Sequence, residues 1–282
     1  MLKQRIITAV ILALLFLGGL FSLSISGFAL AIALVVMMAG WEWANMAGFK
    51  AQWQRVLYAL FVGGVVAASG YYTEFLRLGS LETGSLQVEP VRTLLLVACT
   101  WWAVALLWVQ GYPASAVLWS RGFLKALMGL LVLVPTWLAL VFLREQPQGQ
   151  WLILLVVMIV ACADIGAYFT GKAFGKRKLA IHVSPGKSWE GFWGGFACCV
   201  LLALAIGFGL NAGGWMMLAI IAPAALASVL GDLLESMIKR QRGIKDSSQL
   251  LPGHGGILDR VDSITAAAPV FALAVLLTGW QA

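Results

Sequence analysis

The sequence predicts an all-α, polytopic integral membrane protein of about nine spanning helices, with a cytoplasmic N-terminus. Three observations predict it. The 282 residues are 61% apolar and only 11% charged, with a mean hydropathy of +0.92, outside the range of soluble domains. Stretches of about 18 or more largely uncharged residues recur along the chain, each long enough to cross a hydrocarbon core of ~30 Å. The basic residues crowd into alternate connections, as they do when lysine and arginine hold loops on the inner side. A transmembrane barrel would instead alternate in ~10-residue segments, and no such pattern is present.

The first apolar segment, 6–24, follows Lys3 and Arg5. A basic start, an apolar middle and small residues afterwards would suit a secretory signal. An uncleaved first helix is the reading adopted, because the rest of the chain is equally apolar. The next segment, 28–47, carries the pair Glu42-Trp43 near its end, and 55–72 follows Lys50 and Arg55. The connection "YTEFLRLGSLETGSLQVEPVR" has room for a short surface helix. Segments 92–110 and 123–143 complete the first half, 1–145, read as scaffold and lipid-facing part. The second half, 146–282, holds segments 150–171, 190–210, 214–238 and 258–280, and its loops are expected to form the site. Pro135, Pro223 and Pro269 lie inside segments, where membrane helices tolerate kinks. Cys99, Cys162, Cys198 and Cys199 also lie within apolar segments without CxxC spacing, which reads as packed thiols rather than zinc or disulfide chemistry. No internal repeat and no soluble domain is evident.

With the N-terminus inside, 16 of the 19 basic residues fall on the inner side, and only Arg77, Arg92 and Arg144 fall outside. The net charge of +7 is then a property of one face. It suits anionic headgroups and nucleotide phosphates. Nucleic acid is excluded as a partner, since no soluble module exists to present the charge. The carboxylates follow: Glu42, Asp164, Asp232, Glu235, Asp259 and Asp262 all fall toward the inner ends of their segments. An ionisable group inside a span costs at least ~2.5–3.5 kcal/mol, so it has a partner or a task.

The densest polar run is "GIKDSSQLLPGHGGILDRVDS", residues 243–263. Just before it, Asp232, Ser236 and Lys239 stand at i, i+4 and i+7 and share one helix face, with Glu235 beside them. A polar helix end entering water is the plain alternative. After it, Asp259 and Asp262 lie at i, i+3 in the first turns of a helix, where free N–H groups and the dipole favour anions. Opposite Asp232 they would form an oxygen-rich site suited to Mg2+, and Arg260 could reach a phosphate. In "LPGHGG", Gly255 and Gly256 would let backbone N–H groups approach a ligand; His254 is as well explained by loop structure as by ligand contact. Lys239, Arg240, Arg242, Lys245 and Arg260 supply counter-charge for a polyphosphate. A second polar island runs from Asp164 through "SPGKSWEG", offering Ser184, Lys187, Ser188, Trp189 and Glu190, with a ring for a base or ribose. It lacks the GxxxxGK[ST] spacing of a P-loop, and a solvated basic loop is its plain alternative.

These residues carry a resemblance. Ser236, Lys239-Arg240, Lys245-Asp246, His254-Gly255-Gly256 and Asp259-Arg260-Val261-Asp262 follow the gapped signature of the phosphatidate cytidylyltransferases, without a departure. The resemblance covers about residues 160–265, including "ADIGAYFTGK" and "SPGKSWEG"; the first half shares hydropathy and Glu42-Trp43. It implies transfer of CMP from CTP to phosphatidic acid, giving CDP-diacylglycerol and pyrophosphate. It further implies Mg2+ with a second, monovalent cation such as K+, metal ligation by Asp232 and Asp259, and a homodimer in the bacterial inner membrane with its site on the cytoplasmic side. A CDP-alcohol phosphatidyltransferase would need a DGxxAR…G…DxxxD pattern, which is absent. A kinase or cytidylyltransferase for another lipid remains open. A secondary transporter would need matched, broken halves.

Overall fold

The computed structural model of the chain describes residues 2–77, 84–209 and 213–280, with side chains from Ile6 onward. The elements in order are α1 (Leu2–Ser22), α2 (Ile25–Ala47), α3 (Gln52–Tyr72), α4 (Val88–Gln110), α5 (Ala116–Trp119), α6 (Gly122–Glu145), α7 (Gly149–Phe174), β1 (Lys178–Ala180), β2 (Ser184–Ser188), α8 (Trp189–Gly209), α9 (Gly214–Arg242) and α10 (Leu258–Thr278). All nine expected helices are present. Among the described residues eight are long and apolar enough to cross a membrane, and α1 adds a shorter apolar stretch, Ile6–Ser22. With side chains that turn outward along most of the helices (Leu14, Leu30, Leu60 and Leu107 among them), the chain is an integral membrane protein.

At α2 and at the end of α9, caps rather than hydropathy set where the helix stops or starts. Helix α2 begins where Ser24 Oγ accepts from Gly27 N at 3.1 Å and stops at Gly48, whose φ of 103° few other residues adopt. Helix α9 continues to Arg242, four residues past its apolar segment. Lys239, Arg240 and Arg242 in its last turn complement the dipole, and Gly243 at φ 76° closes it.

Two elements were not expected. Helix α5 is a single turn in the connection after α4. The basic loop after α7 contains a two-stranded antiparallel hairpin, β1 paired with β2. The three-residue turn between the strands, 181–183, leaves Ile181 exposed and buries Val183. The connection before α4 shows no surface helix among its described residues, and 78–83 lie outside them.

Helices α6 and α9 form the hub, with 67% and 61% of their spans buried, against 28% for α8. Helix α1 covers the full height of the bundle: Thr8 Oγ1 donates to Pro252 O at one end, and Leu23 O accepts from Arg144 at the other. The first end gathers the α2–α3 turn, the hairpin, the end of α9 and the start of α10. It is the end to which the sequence assigned 16 basic residues.

Candidate active site at the charged end of the bundle

Helices α9 and α10 pack antiparallel along their length. They can approach because Gly231 has no Cβ; one would collide with the carbonyl of Asp262. The basic last turn of α9 therefore lies against the acidic first turns of α10. Lys239 Nζ joins them, donating to Glu235 Oε2 at 2.8 Å and to Asp259 Oδ1 at 2.6 Å. The Lys239 side chain is only 12% exposed, so both pairs work in a low dielectric and either partner alone would be costly.

Asp259 is a heavily engaged carboxylate. Besides Lys239 on Oδ1, its Oδ2 accepts from Gly256 N at 2.7 Å, Ser247 N at 2.9 Å and Ser247 Oγ at 2.9 Å. Asp232, one helix turn deeper on α9, accepts from Ser236 Oγ at 3.1 Å and pairs with Lys187 Nζ of β2 at 2.5 Å. Both members of that pair remain over a quarter exposed. Asp262 Oδ1 accepts from Ser263 N at 2.7 Å. The stripe expected on α9 and the pair expected on α10 thus converge, and Lys187 brings the second polar island to them.

A cavity of about 370 Å3 lies beside this cluster, between α7, α8, the hairpin and α9; Asp164, Lys172 and Lys187 line it. A larger one of about 800 Å3 adjoins it, walled by Trp102, Leu106, Tyr112, Trp189 and Leu230, with Lys178 and His182 among its polar groups. Leu179, Phe192, Leu226 and Val229 line both. The two cavities thus share a wall; both are lined mostly by apolar side chains, and Asp164, Lys172 and Lys187 bring charge to the smaller.

Other expected site residues do structural work. Glu190 accepts from the backbone N–H groups of Lys176 and Arg177 at 3.1 and 3.2 Å and closes the base of the hairpin. Ser188 Oγ accepts from Gly191 N and caps α8. Ser184 is half-buried in β2, and Trp189 is 39% exposed at the large cavity. Lys245, Asp246 and Arg260 are exposed, and His254 is half-buried with Nδ1 unpartnered among the described residues. Gly255 has φ 81°, and a Cβ there would press on Asp259 Oδ2; one on Gly256 would collide with Ser247 Oγ and the Glu42 carboxylate. Both glycines are thus needed for close approach to the protein's own carboxylates.

Glu42 and Ser247 are the residues that the candidate set omitted. Glu42 is fully buried on α2, yet its carboxylate meets the loop before α10 and the helix's first N–H groups. An acidic residue inside an apolar segment was the available signal; its partner, 205 residues away in the chain, had none.

Among the described residues no three His, Cys, Asp or Glu side chains gather tightly enough to hold a metal ion unaided. Mg2+ in nucleotide chemistry asks for less: one or two carboxylates, with waters and substrate phosphates completing its octahedron. The donors here fit that demand. Asp232 offers oxygens met only by Lys187 and Ser236 among the described residues, and Glu235 Oε1, in a side chain 2% exposed, meets no donor among them.

The chain matches the model of the cytidylyltransferase family over residues 3–278. It is 47% identical over 285 residues to the phosphatidate cytidylyltransferase of Pseudomonas aeruginosa, covering 100% of both chains. It is 43% identical to that of Haemophilus influenzae, covering 96% of this chain and 97% of the relative. It is 35% identical to that of Brucella suis, covering 96% and 92%.

Proposed function

The chain belongs to the cytidylyltransferase family, and from that premise we propose that it transfers CMP from CTP to phosphatidic acid, releasing pyrophosphate and forming CDP-diacylglycerol at the charged end of its bundle. The observation that carries the assignment of the site is the convergence of Lys187–Asp232 and Lys239–Asp259 beside a cavity that bears Asp164, Lys172 and Lys187 and adjoins a larger one. The names and near-complete coverage of the relatives support the substrates.

The chemistry asks for little beyond charge and position. A phosphate oxygen of the lipid, already ionised near neutral pH, attacks the α-phosphorus of CTP. The new P–O bond forms as the bond to the β-phosphate bridge oxygen breaks, and that oxygen leaves on pyrophosphate with the electron pair. No proton has to be removed from the nucleophile, so no general base is needed. What is needed is positive charge around an anionic triphosphate as it gains charge in transfer. Lys187 and Lys239 supply it. Arg260 and Lys245 are free to reach the outer phosphates. When bound, Mg2+ would neutralise phosphate oxygens and polarise the α-phosphorus; Asp232 is its first candidate ligand, and Asp259 its second once Lys239 yields Oδ1. A monovalent cation such as K+ and a homodimer belong to the same reading, supported by the family resemblance.

The lipid reaches this site without leaving the bilayer. Each buried methylene holds it there by ~0.8 kcal/mol, so the headgroup must meet the polar cavity while the acyl chains stay in apolar surroundings, which the larger cavity offers. The excess of basic residues at the charged end supports a cytoplasmic orientation in a bacterial inner membrane.

The test is direct. Purified protein with Mg2+, CTP labelled in its α-phosphate and phosphatidic acid in mixed micelles should move label into the lipid phase, one pyrophosphate for each lipid formed. Label that enters the lipid phase only with another acceptor, or not at all, contradicts the reading.

A further inference from the structure

Glu42 is a fully buried carboxylate on α2, in the half of the chain read as scaffold. Four donors converge on it. Ser248 Oγ donates to Oε1 at 2.5 Å and Ile257 N to the same oxygen at 3.0 Å. Leu258 N donates to Oε2 at 2.7 Å, and Ser247 Oγ approaches Oε2 at 3.2 Å. Helix α10 has no side-chain cap of its own; Glu42 caps it from another helix, taking two N–H groups that would otherwise lack partners. One turn on, Asn45 Nδ2 donates to Ser247 O at 3.2 Å, and Asn45 O accepts from Arg242 Nε at 3.1 Å. The inner end of α2 therefore grips both ends of the loop that carries the polar run.

The grip leads directly to the reacting groups. Ser247 Oγ lies between two carboxylates, 3.2 Å from Glu42 Oε2 and 2.9 Å from Asp259 Oδ2. A hydroxyl has one proton, so it serves one of them at a time. Asp259 in turn holds Lys239. Gly256, where a Cβ would strike both Ser247 Oγ and Glu42, makes the close approach feasible. We propose that Glu42 is a positioning residue of the transfer reaction: acting through Ser247 and the amino end of α10, it fixes Asp259, and with it Lys239, against the Lys187–Asp232 pair. The inference rests on the proposed reaction at this end of the bundle. It gives the first half of the chain a part in turnover beyond scaffold and lipid access.

A half-buried carboxylate at the opposite end provides the control. Glu145 Oε2 accepts from Leu86 N at 3.1 Å, a comparable backbone contact far from the cluster. Turnover of labelled CTP and phosphatidic acid is measured for wild type, Glu42→Gln, Glu145→Gln, Ser247→Ala and the Glu42→Gln/Ser247→Ala double variant, each normalised to folded protein. Glu42→Gln should lower kcat about tenfold or more with the KM for CTP within about threefold of wild type, since small displacements of reacting groups weigh on the chemical step. Glu145→Gln should keep kcat within about twofold. Ser247→Ala should lower kcat by a smaller factor, and the double variant should be no worse than Glu42→Gln, because coupled residues are not additive. A Glu42→Gln variant with wild-type kcat, or losses that multiply in the double variant, overturns the proposal. Should Glu42→Gln fail to fold, Ser247→Ala decides alone, and unchanged kcat counts against it. Wild type that does not convert these substrates would instead overturn the proposed reaction.

Discussion

Glu42 and Glu145 each accept backbone N–H groups from another segment, one at either end of the bundle. Around Glu145, among the described residues, the further contacts form no chain of charged groups: Arg144 reaches Leu23 O, Gln87 donates to Glu74 at 3.3 Å, and Arg92 meets Glu89 across an exposed helix turn at 3.8 Å. Around Glu42 they continue, through Ser247 to Asp259, Lys239 and Glu235. A membrane helix end needs caps wherever its backbone is buried, and the far end has what that demands. The charged end has an excess of carboxylates and ammonium groups, partly buried and paired across helices distant in sequence. Capping does not account for that excess; the proposed handling of phosphates would.

Several measurements would break or sharpen the contrast between the ends. The largest effect is expected from Asp232→Asn and Asp259→Asn, which remove charge at the point where a cation and a triphosphate are to be held. Each should lower kcat/KM by about 10²-fold or more without unfolding the protein, a loss of several kcal/mol in the transition state. Near-normal turnover of both at limiting Mg2+ would remove the metal assignment.

Next comes stability. Lys239→Ala leaves Glu235 and Asp259 buried without their ammonium, and breaking such a pair costs ~3–5 kcal/mol. Arg92→Ala breaks a pair whose side chains are 45% and 79% exposed, where ~0.2–1 kcal/mol or less is at stake. Thermal unfolding in one detergent should separate the two clearly; equal shifts would mean that the Lys239 cluster is better solvated than its geometry implies. The smallest effects should come from Arg260→Ala and Lys245→Ala. Both side chains are exposed, so each should raise the KM for CTP by about three- to tenfold through loss of one charge-assisted contact. An unchanged KM in both would move the outer phosphates away from this loop.

How much of this was legible in the sequence differs by the range of the interaction. The helices were legible because a chain in lipid must satisfy its backbone within each span, so local hydropathy decides. The α9 stripe of Asp232, Ser236 and Lys239 was legible from helical periodicity, and the basic asymmetry located the charged end. The hairpin was hidden because its strands, Lys178–Ala180 and Ser184–Ser188, are short and carry no apolar alternation to set them apart from a basic loop. The tasks of Glu190, Gly255 and Gly256 were read as ligand contacts. They also serve the hairpin base and the protein's own carboxylates, tasks not legible because short polar and glycine-rich runs look alike whether they receive a substrate or another part of the chain. The Glu42–Ser247 contact joins residues with no local relation, so no periodicity could reveal it.

The central claim is that the reaction occurs at the charged end. In a background without native cysteines, Gln249→Cys marks that end and Ser85→Cys the other; both positions are exposed. Sealed vesicles are sorted by which position an impermeant thiol reagent labels, and external CTP is then supplied with phosphatidic acid in both leaflets. Vesicles that label at 249 should form lipid product at once, and those that label at 85 only after permeabilisation. Product formation that follows labelling at 85 would contradict the account.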